Sequence, residues 1–224
     1  GTPNEFTFFN GVQVPVKDQF LWYPFWGSER TFPHFAAGWA WAMCTPFKWV
    51  KQVASHFGGT AQGVGMSWPG HINDVGGIRH QFHHVIDIVP TILEATGISA
   101  PDTINGIQQR PIEGVSMLYS FNDPQARDRH LTQYFEIFGN RAIYHDGWFA
   151  GTIHKAPWEA APRRSLNEDV WELYNVNEDF SQANNLADKN PEKLEELKKK
   201  FMDEAVKYNV LPMDDRSIER FDPI

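Results

Sequence analysis

The clearest hydrophobic pattern lies near the C-terminal end. Leu194, Leu197, Phe201, Ala205 and Tyr208 recur at three- and four-residue steps and form one apolar stripe, which predicts an amphipathic helix. Asn190 stands at the cap position, Pro191 at the tolerated first position, and Glu195–Lys199 and Glu196–Lys200 are spaced to pair on the outer face. Ahead of this helix the period shortens to two. Leu131 to Phe138 and Arg141 to His145 predict two strands turning at Gly139-Asn140. Asp146-Gly147 predicts a type I′ turn into a third strand, Trp148 to Ile153, and Trp171 to Val176 predicts a fourth. A polar loop, 154–170, carrying Arg163-Arg164, separates the last two. Four short strands and one long helix predict a small α+β subdomain with a four-stranded antiparallel sheet, within residues 130–224 when the tail is counted.

Residues 1–129 follow a different pattern. Val64 to Trp68 is a short apolar run stopped by Pro69-Gly70, which predicts a buried strand. Asp87 to Gly97 predicts a helix with Asp87 as its cap, Pro90 in the first turn and Gly97 as its stop. Pro111 to Phe121 predicts another short helix. A strand followed by a helix has the texture of an α/β layer, with too few such units for a complete doubly wound sheet. From Phe6 to Trp68 no period persists, while six of the nine tryptophans and prolines 15, 24, 33 and 46 fall there. That stretch predicts a long ordered loop packed by aromatics, functional or shaped to an interface.

Composition changes this picture little. The chain has 224 residues, 42% hydrophobic and 21% charged, which is ordinary for a folded protein, and a net charge of −8, which offers nothing to nucleic acid. No apolar run reaches about 18 residues, so no membrane span is expected. The opening GTPNEFTFFNG has neither the basic nor the apolar region of a signal peptide. The chain does not begin with methionine, so its numbering is compatible with a start inside a longer protein. Compartment, bacterial cytoplasm or periplasm, is not legible, and one cysteine forms no intrachain disulfide.

Candidate chemistry is sparse. Cys44, in Cys44-Thr45-Pro46-Phe47-Lys48, has the outline of a nucleophile motif, but among Trp39, Trp41, Met43 and Phe47 it reads as a small buried hydrophobe. His80, His83 and His84 cluster before the Asp87 helix. His83 and Asp87 stand four apart, yet His83 precedes the helix and no second ligand group supports a metal, so polar or half-buried histidines are expected. No Gly-x-Ser-x-Gly, phosphate-cradling glycine loop or His-Glu-x-x-His is present. Lys48 and Lys51 precede Gly58-Gly59, where the backbone can approach an anion closely. Residue chemistry alone reads these as solvated lysines.

The order of segments shifts that reading. A lysine ahead of Gly58-Gly59, then SWPGHI (67–72), VIDIVPTILEATGI (85–98), IEGVSM (112–117) and WELYNVNEDFSQANNLADKNPEKLEELKKKF (171–201) resembles the C-terminal half of a sulfatase, specifically a bacterial arylsulfatase, and TQYFEIFGNRAIYHDGWFA (132–150) is similar to that subgroup's small sheet. The resemblance runs from about Gly38 to Val210. It implies an alkaline-phosphatase-like fold, of which this chain would hold part of the α/β sandwich in residues 1–129 and the small subdomain in 130–224. It implies a formylglycine nucleophile made within Cys-x-Pro-Ser-Arg, a calcium ion held by aspartates and an asparagine, and cationic side chains on the sulfate oxygens, which lower the barrier where charge develops.

Cys44 departs from that pattern. Phe47 stands in the serine place, Lys48 in the arginine place, and the stretch lies in the wrong half. Asn73-Asp74 and Asn122-Asp123 are in the wrong order and place for the metal ligands. One active-site role carries across, the sulfate-binding lysine, matched best by Lys51, with Lys48 as runner-up because the spacing to Gly58-Gly59 is one longer than usual. His56 is a weaker substrate-side candidate. The resulting expectation is the C-terminal portion of an arylsulfatase that hydrolyses sulfate monoesters, inactive alone because it lacks nucleophile and metal ligands. Its expected partners are the sulfate-ester substrate and the N-terminal part of the enzyme, with self-association of the isolated chain. A phosphate or phosphonate monoester hydrolase and a stand-alone aromatic-rich binding module are the competing readings.

Overall fold

The computed structural model describes residues 15–31, 37–159 and 161–216. Its helices are α1 (Val16–Gln19), α2 (Ala37–Met43), α3 (Phe57–Thr60), α4 (Ile88–Thr96) and α5 (Pro191–Lys207). Its strands are β1 (Thr103–Ile104), β2 (Ile107–Gln108), β3 (Thr132–Ile137), β4 (Asn140–His145), β5 (Trp148–Thr152) and β6 (Glu172–Asn175). The chain is thus mixed α/β, with a four-stranded antiparallel meander in the order β3-β4-β5-β6 and a long C-terminal helix. None of the described helices is long and apolar enough to cross a membrane.

Turn chemistry sets the register of the meander. His145 pairs with Trp148 across Asp146 and Gly147, whose φ values of 46° and 79° are those of the expected I′ turn. The first hairpin turns one residue earlier than its sequence suggests. Ile137 pairs with Asn140, so Phe138 (φ 54°) and Gly139 (φ 81°) make the corner. Asn140 is drawn into the strand because its side chain is wanted inside, as described below.

Alternation then divides the sheet residues between two faces. Ile143, Ala150 and Leu173 meet Leu197 and Phe201 of α5, with Tyr134, Trp148, Trp171 and Leu194 around them. The intervening residues Ala142, Tyr144, Phe149 and Tyr174 meet Phe57, with Phe47, Phe82 and Phe135 packed alongside. The sheet is therefore covered on both sides, by α5 on one and by segments from 47–82 on the other. Helix α5 spans the predicted residues and buries Leu197, Phe201 and Ala205. Its outer-face ion pairs differ from the expected ones: Lys193–Glu196, Lys198–Glu195 and Lys199–Asp203 form, at 2.7, 2.6 and 2.6 Å. Both i,i+3 and i,i+4 neighbours lie within reach on a helix, and the flexible lysines settle on the nearer carboxylates.

The N-terminal expectations fare unevenly. Helix α4 forms and ends in a left-handed Gly97 (φ 68°). The strand expected at Val64 to Trp68 is absent; this segment is irregular, Val64 is exposed, and no strand among the described residues pairs with it. A strand without a ladder partner has no reason to persist. Between Pro111 and Phe121 only a 3₁₀ turn forms, at Leu118–Ser120. Trp22, Trp26 and Trp39 stand at the surface. The parts of the aromatic-rich stretch at 1–14 and 32–36 lie outside the described residues.

Candidate functional site

The segment from Cys44 to Thr60 is a loop under backbone strain. Trp49 (φ 68°) and Gln52 (φ 75°) both hold left-handed conformations, which are uncommon for residues with a Cβ and for a bulky one an outlier. Such strain persists only where the surroundings over-determine it, and it gathers at functional positions. Here the surroundings are explicit. Gly58 N–H donates to Lys48 O at 3.0 Å, Val53 N–H to Val50 O at 3.1 Å and Gly59 N–H to His56 O at 2.9 Å. A Cβ on Gly58 would overlap the carbonyls of Lys48 and Trp49, and one on Gly59 that of Val53, so α3 packs on the loop only because both residues are glycine. From the sheet, the buried Asn140 Nδ2 donates to Gln52 O at 2.9 Å and to Lys155 O at 2.7 Å, while its Oδ1 accepts from His154 N–H at 2.9 Å.

The loop presents its three candidate residues in different directions. Lys51 stands exposed in the turn beside Gln52. Lys48 points inward, its Nζ 3.4 Å from Tyr174 Oη and 5.3 Å from that ring's centroid. His56 is buried, with Nε2 2.9 Å from Glu172 Oε2 and Nδ1 2.9 Å from Ser55 Oγ. With both ring nitrogens engaged, His56 ties the loop to Glu172 of β6. Cys44 is half-buried at the end of α2, its thiol 3.5 Å from Gly58 O, an environment of packing and not of thiolate stabilisation.

Glu172 is the hub of this cluster. It accepts from His56 and, at 2.5 Å, from Tyr174 Oη. The His56 hydrogen bond, then that of Tyr174, outweigh the cost of burial and hold its carboxyl down to about 2. Burial and the adjoining Glu172 push the Tyr174 phenol well above its ordinary range, so it stays a donor. Alternation along Glu172-Leu173-Tyr174 puts these two polar groups on one face, a signal that the sequence reading missed. That this face is the one beneath the lysine loop is a tertiary fact. Beside the loop, Trp49 stacks near-parallel on Trp158 at 6.0 Å and lies 4.8 Å from Trp41, with Arg163 5.4 Å over Trp49.

The histidine cluster proves structural. Asp87, fully buried, accepts from the amides of His84 (2.9 Å) and Val115 (2.8 Å), from His130 Nδ1 (2.8 Å) and from His83 Nδ1 (3.2 Å). Burial opposes its charge, but these donors together keep its carboxyl below the ordinary range. It stands at the N-cap position of α4, but its side chain makes no capping bond there and instead ties three segments together, and burial lowers both His83 and His84. Asn73 and Asn122 bond each other, amide to side chain, at 2.8 Å. Among the described residues no group of three or more His, Cys, Asp or Glu is placed to hold a metal ion. The described residues therefore gather no such cluster for the calcium that the resemblance implies.

Residues 61–209 match the family described as N-sulphoglucosamine sulphohydrolase, C-terminal. The chain belongs to this sulfatase C-terminal family. The matched range takes in the whole sheet and α5, and it begins just after the Lys51 loop. Two solved structures are similar to the chain. One, designated BT33336S-sulf, comes from work on metabolism of multiple glycosaminoglycans by Bacteroides thetaiotaomicron; it is 22% identical, with a TM-score of 0.39, over 58% of this chain and 26% of that one. The other, BT4656 in complex with its substrate D-glucosamine-2-N,6-O-disulfate, is 15% identical with the same TM-score, over 58% of this chain and 25% of that one. The chain thus matches about a quarter of the length of these structures.

Proposed function

We propose that this chain is the C-terminal part of an arylsulfatase, a sulfuric ester hydrolase that cleaves sulfate monoesters to a phenol or alcohol and sulfate. The observation that carries the reading is the strained loop 48–59. It is pinned by glycines, by Asn140 and by the Glu172 cluster, and it leaves Lys51 as its outward cation. A fixed ammonium opposite a sulfuryl group stabilises charge that grows on the sulfate oxygens as the ester bond breaks. Lys48 neutralises part of the Glu172–Tyr174 hub, and His56 positions the loop. Membership of a sulfatase C-terminal family supports the reaction class. The nucleophile and the calcium expected for the whole enzyme would come from residues beyond those described.

The test uses the longer enzyme and 4-nitrophenyl sulfate. Lys51→Ala should lower kcat/KM by about 10²–10³, the cost of removing one preorganised charge-stabilising group, and Lys48→Ala by clearly less. A Lys51→Ala enzyme within twofold of wild type would sink the assignment. The chain of 224 residues by itself should release no nitrophenol; turnover by it would overturn the reading as a part of an enzyme. Faster cleavage of 4-nitrophenyl phosphate than of the sulfate would favour a phosphoesterase instead.

A further inference from the structure

His154 follows β5 and is fully buried, yet each of its ring nitrogens faces a carboxylate. Nδ1 lies 2.9 Å from Asp169 Oδ2 and Nε2 lies 3.1 Å from Asp215 Oδ2. An ionised carboxylate only accepts hydrogen bonds, so a bond at both ends requires a proton on both nitrogens. We propose that His154 sits between them as an imidazolium and acts as a protonation-dependent latch, fastening the C-terminal segment 211–216 to the edge of the subdomain.

The charges around the ring balance only in that state. Arg141, from β4, donates to the same Asp169 oxygen at 2.6 Å and to Leu166 O at 2.7 Å. Asp169 comes from the loop before β6 and Asp215 from the C-terminal segment, where Asp214 and Arg216 pair with each other at 2.8 Å. Two cations and two carboxylates sum to zero. When the ring loses a proton, one carboxylate faces a lone pair and an uncompensated charge remains, which is costly in a buried place.

The weaker partner is identifiable. Asp169 has no side-chain exposure, keeps Arg141, and lies in a segment tied to β5 by Thr152 Oγ1 donating to Val170 O at 2.8 Å. Asp215 is 39% exposed, so water can replace its bond to the ring. Deprotonation therefore loosens the Asp215 end of the clasp first, while Arg141–Asp169 and Thr152–Val170 keep the sheet edge in place. The release is felt near the lysine loop, because His154 N–H and Gln52 O hang on the same Asn140 side chain. This device does not depend on the sulfatase reading.

The test uses the 224-residue chain labelled with ¹⁵N-histidine, together with amide exchange of residues 213–216 between about pH 6 and about pH 9. The expected result is a doubly protonated His154 ring where the segment is protected. With intrinsic exchange rates divided out, protection should then fall about tenfold per pH unit once the ring titrates, the slope of a one-proton linkage. Asp215→Ala, at the exposed end of the pair, should abolish that slope. A singly protonated ring while the segment is protected would overturn the proposal. So would a flat pH dependence, or an unchanged slope in Asp215→Ala.

Discussion

Helices α4 and α5 are both read from apolar spacing, and they meet opposite fates. In α5, Leu197, Phe201 and Ala205 are all but sealed against the sheet. In α4, richer in isoleucine and valine, Val89 and Ile92 are 52% and 56% exposed, and only Thr91 is buried. Polar groups do the fixing there: Thr91 Oγ1 donates to Asp87 O at 2.6 Å and accepts from Met117 N–H at 2.8 Å. An apolar pattern thus states that a face wants cover, not that the described chain supplies it.

Five variants would break or sharpen that comparison. Phe201→Ala removes an aromatic with stacked and edge contacts to Tyr134 and Trp171, and should cost about 3–5 kcal/mol in urea unfolding followed by circular dichroism. Gly58→Ala forces a Cβ into the loop backbone and should cost about 1–3 kcal/mol, and in the longer enzyme it should lower turnover along with stability. A neutral outcome would mean that the loop is not held as seen.

Acid should act next. The carboxyl of Glu172 is held at about 2, below its ordinary value, so its contribution is complete above the ordinary carboxylate range and is lost as pH falls towards about 2. Solvent reaches 37% of the side chain, so the effect stays on the order of 1 kcal/mol at most. Glu172→Gln should flatten that limb of the stability–pH curve, and an unchanged limb would deny the hub its role. Smallest of all, Ile92→Ala should shift stability by no more than about 0.5 kcal/mol, and Val89→Ser with Ile92→Ser should reduce, on size exclusion, the self-association expected of the isolated chain. A loss as large as that of Phe201→Ala would show that α4 is covered after all.

Legibility followed the range of the forces involved. Helix α5, its Pro191 start, the Asp146-Gly147 turn and the four strands were readable because caps, turns and periodicity act over a few residues. The first hairpin slipped by one because Asn140 answers to Gln52 and Lys155, 88 and 15 residues away, and no local rule records such bonds. The strand expected at Val64 to Trp68 failed for a related reason. Its apolar run was real, but a strand exists only through a neighbour.

The candidate site divides the same way. Lys51, Lys48, His56 and the glycine pair stand together in one short stretch of chain, and the order of segments was enough to suggest an anion-binding loop there. Which lysine points outward, that His56 is spent inside, and that Glu172, Tyr174 and Asn140 hold the loop were decided only by folding. Local sequence chose the elements because backbone preference and periodic burial are short-ranged. The tertiary structure chose the roles, because a side chain's charge, partners and exposure depend on what the rest of the chain brings against it.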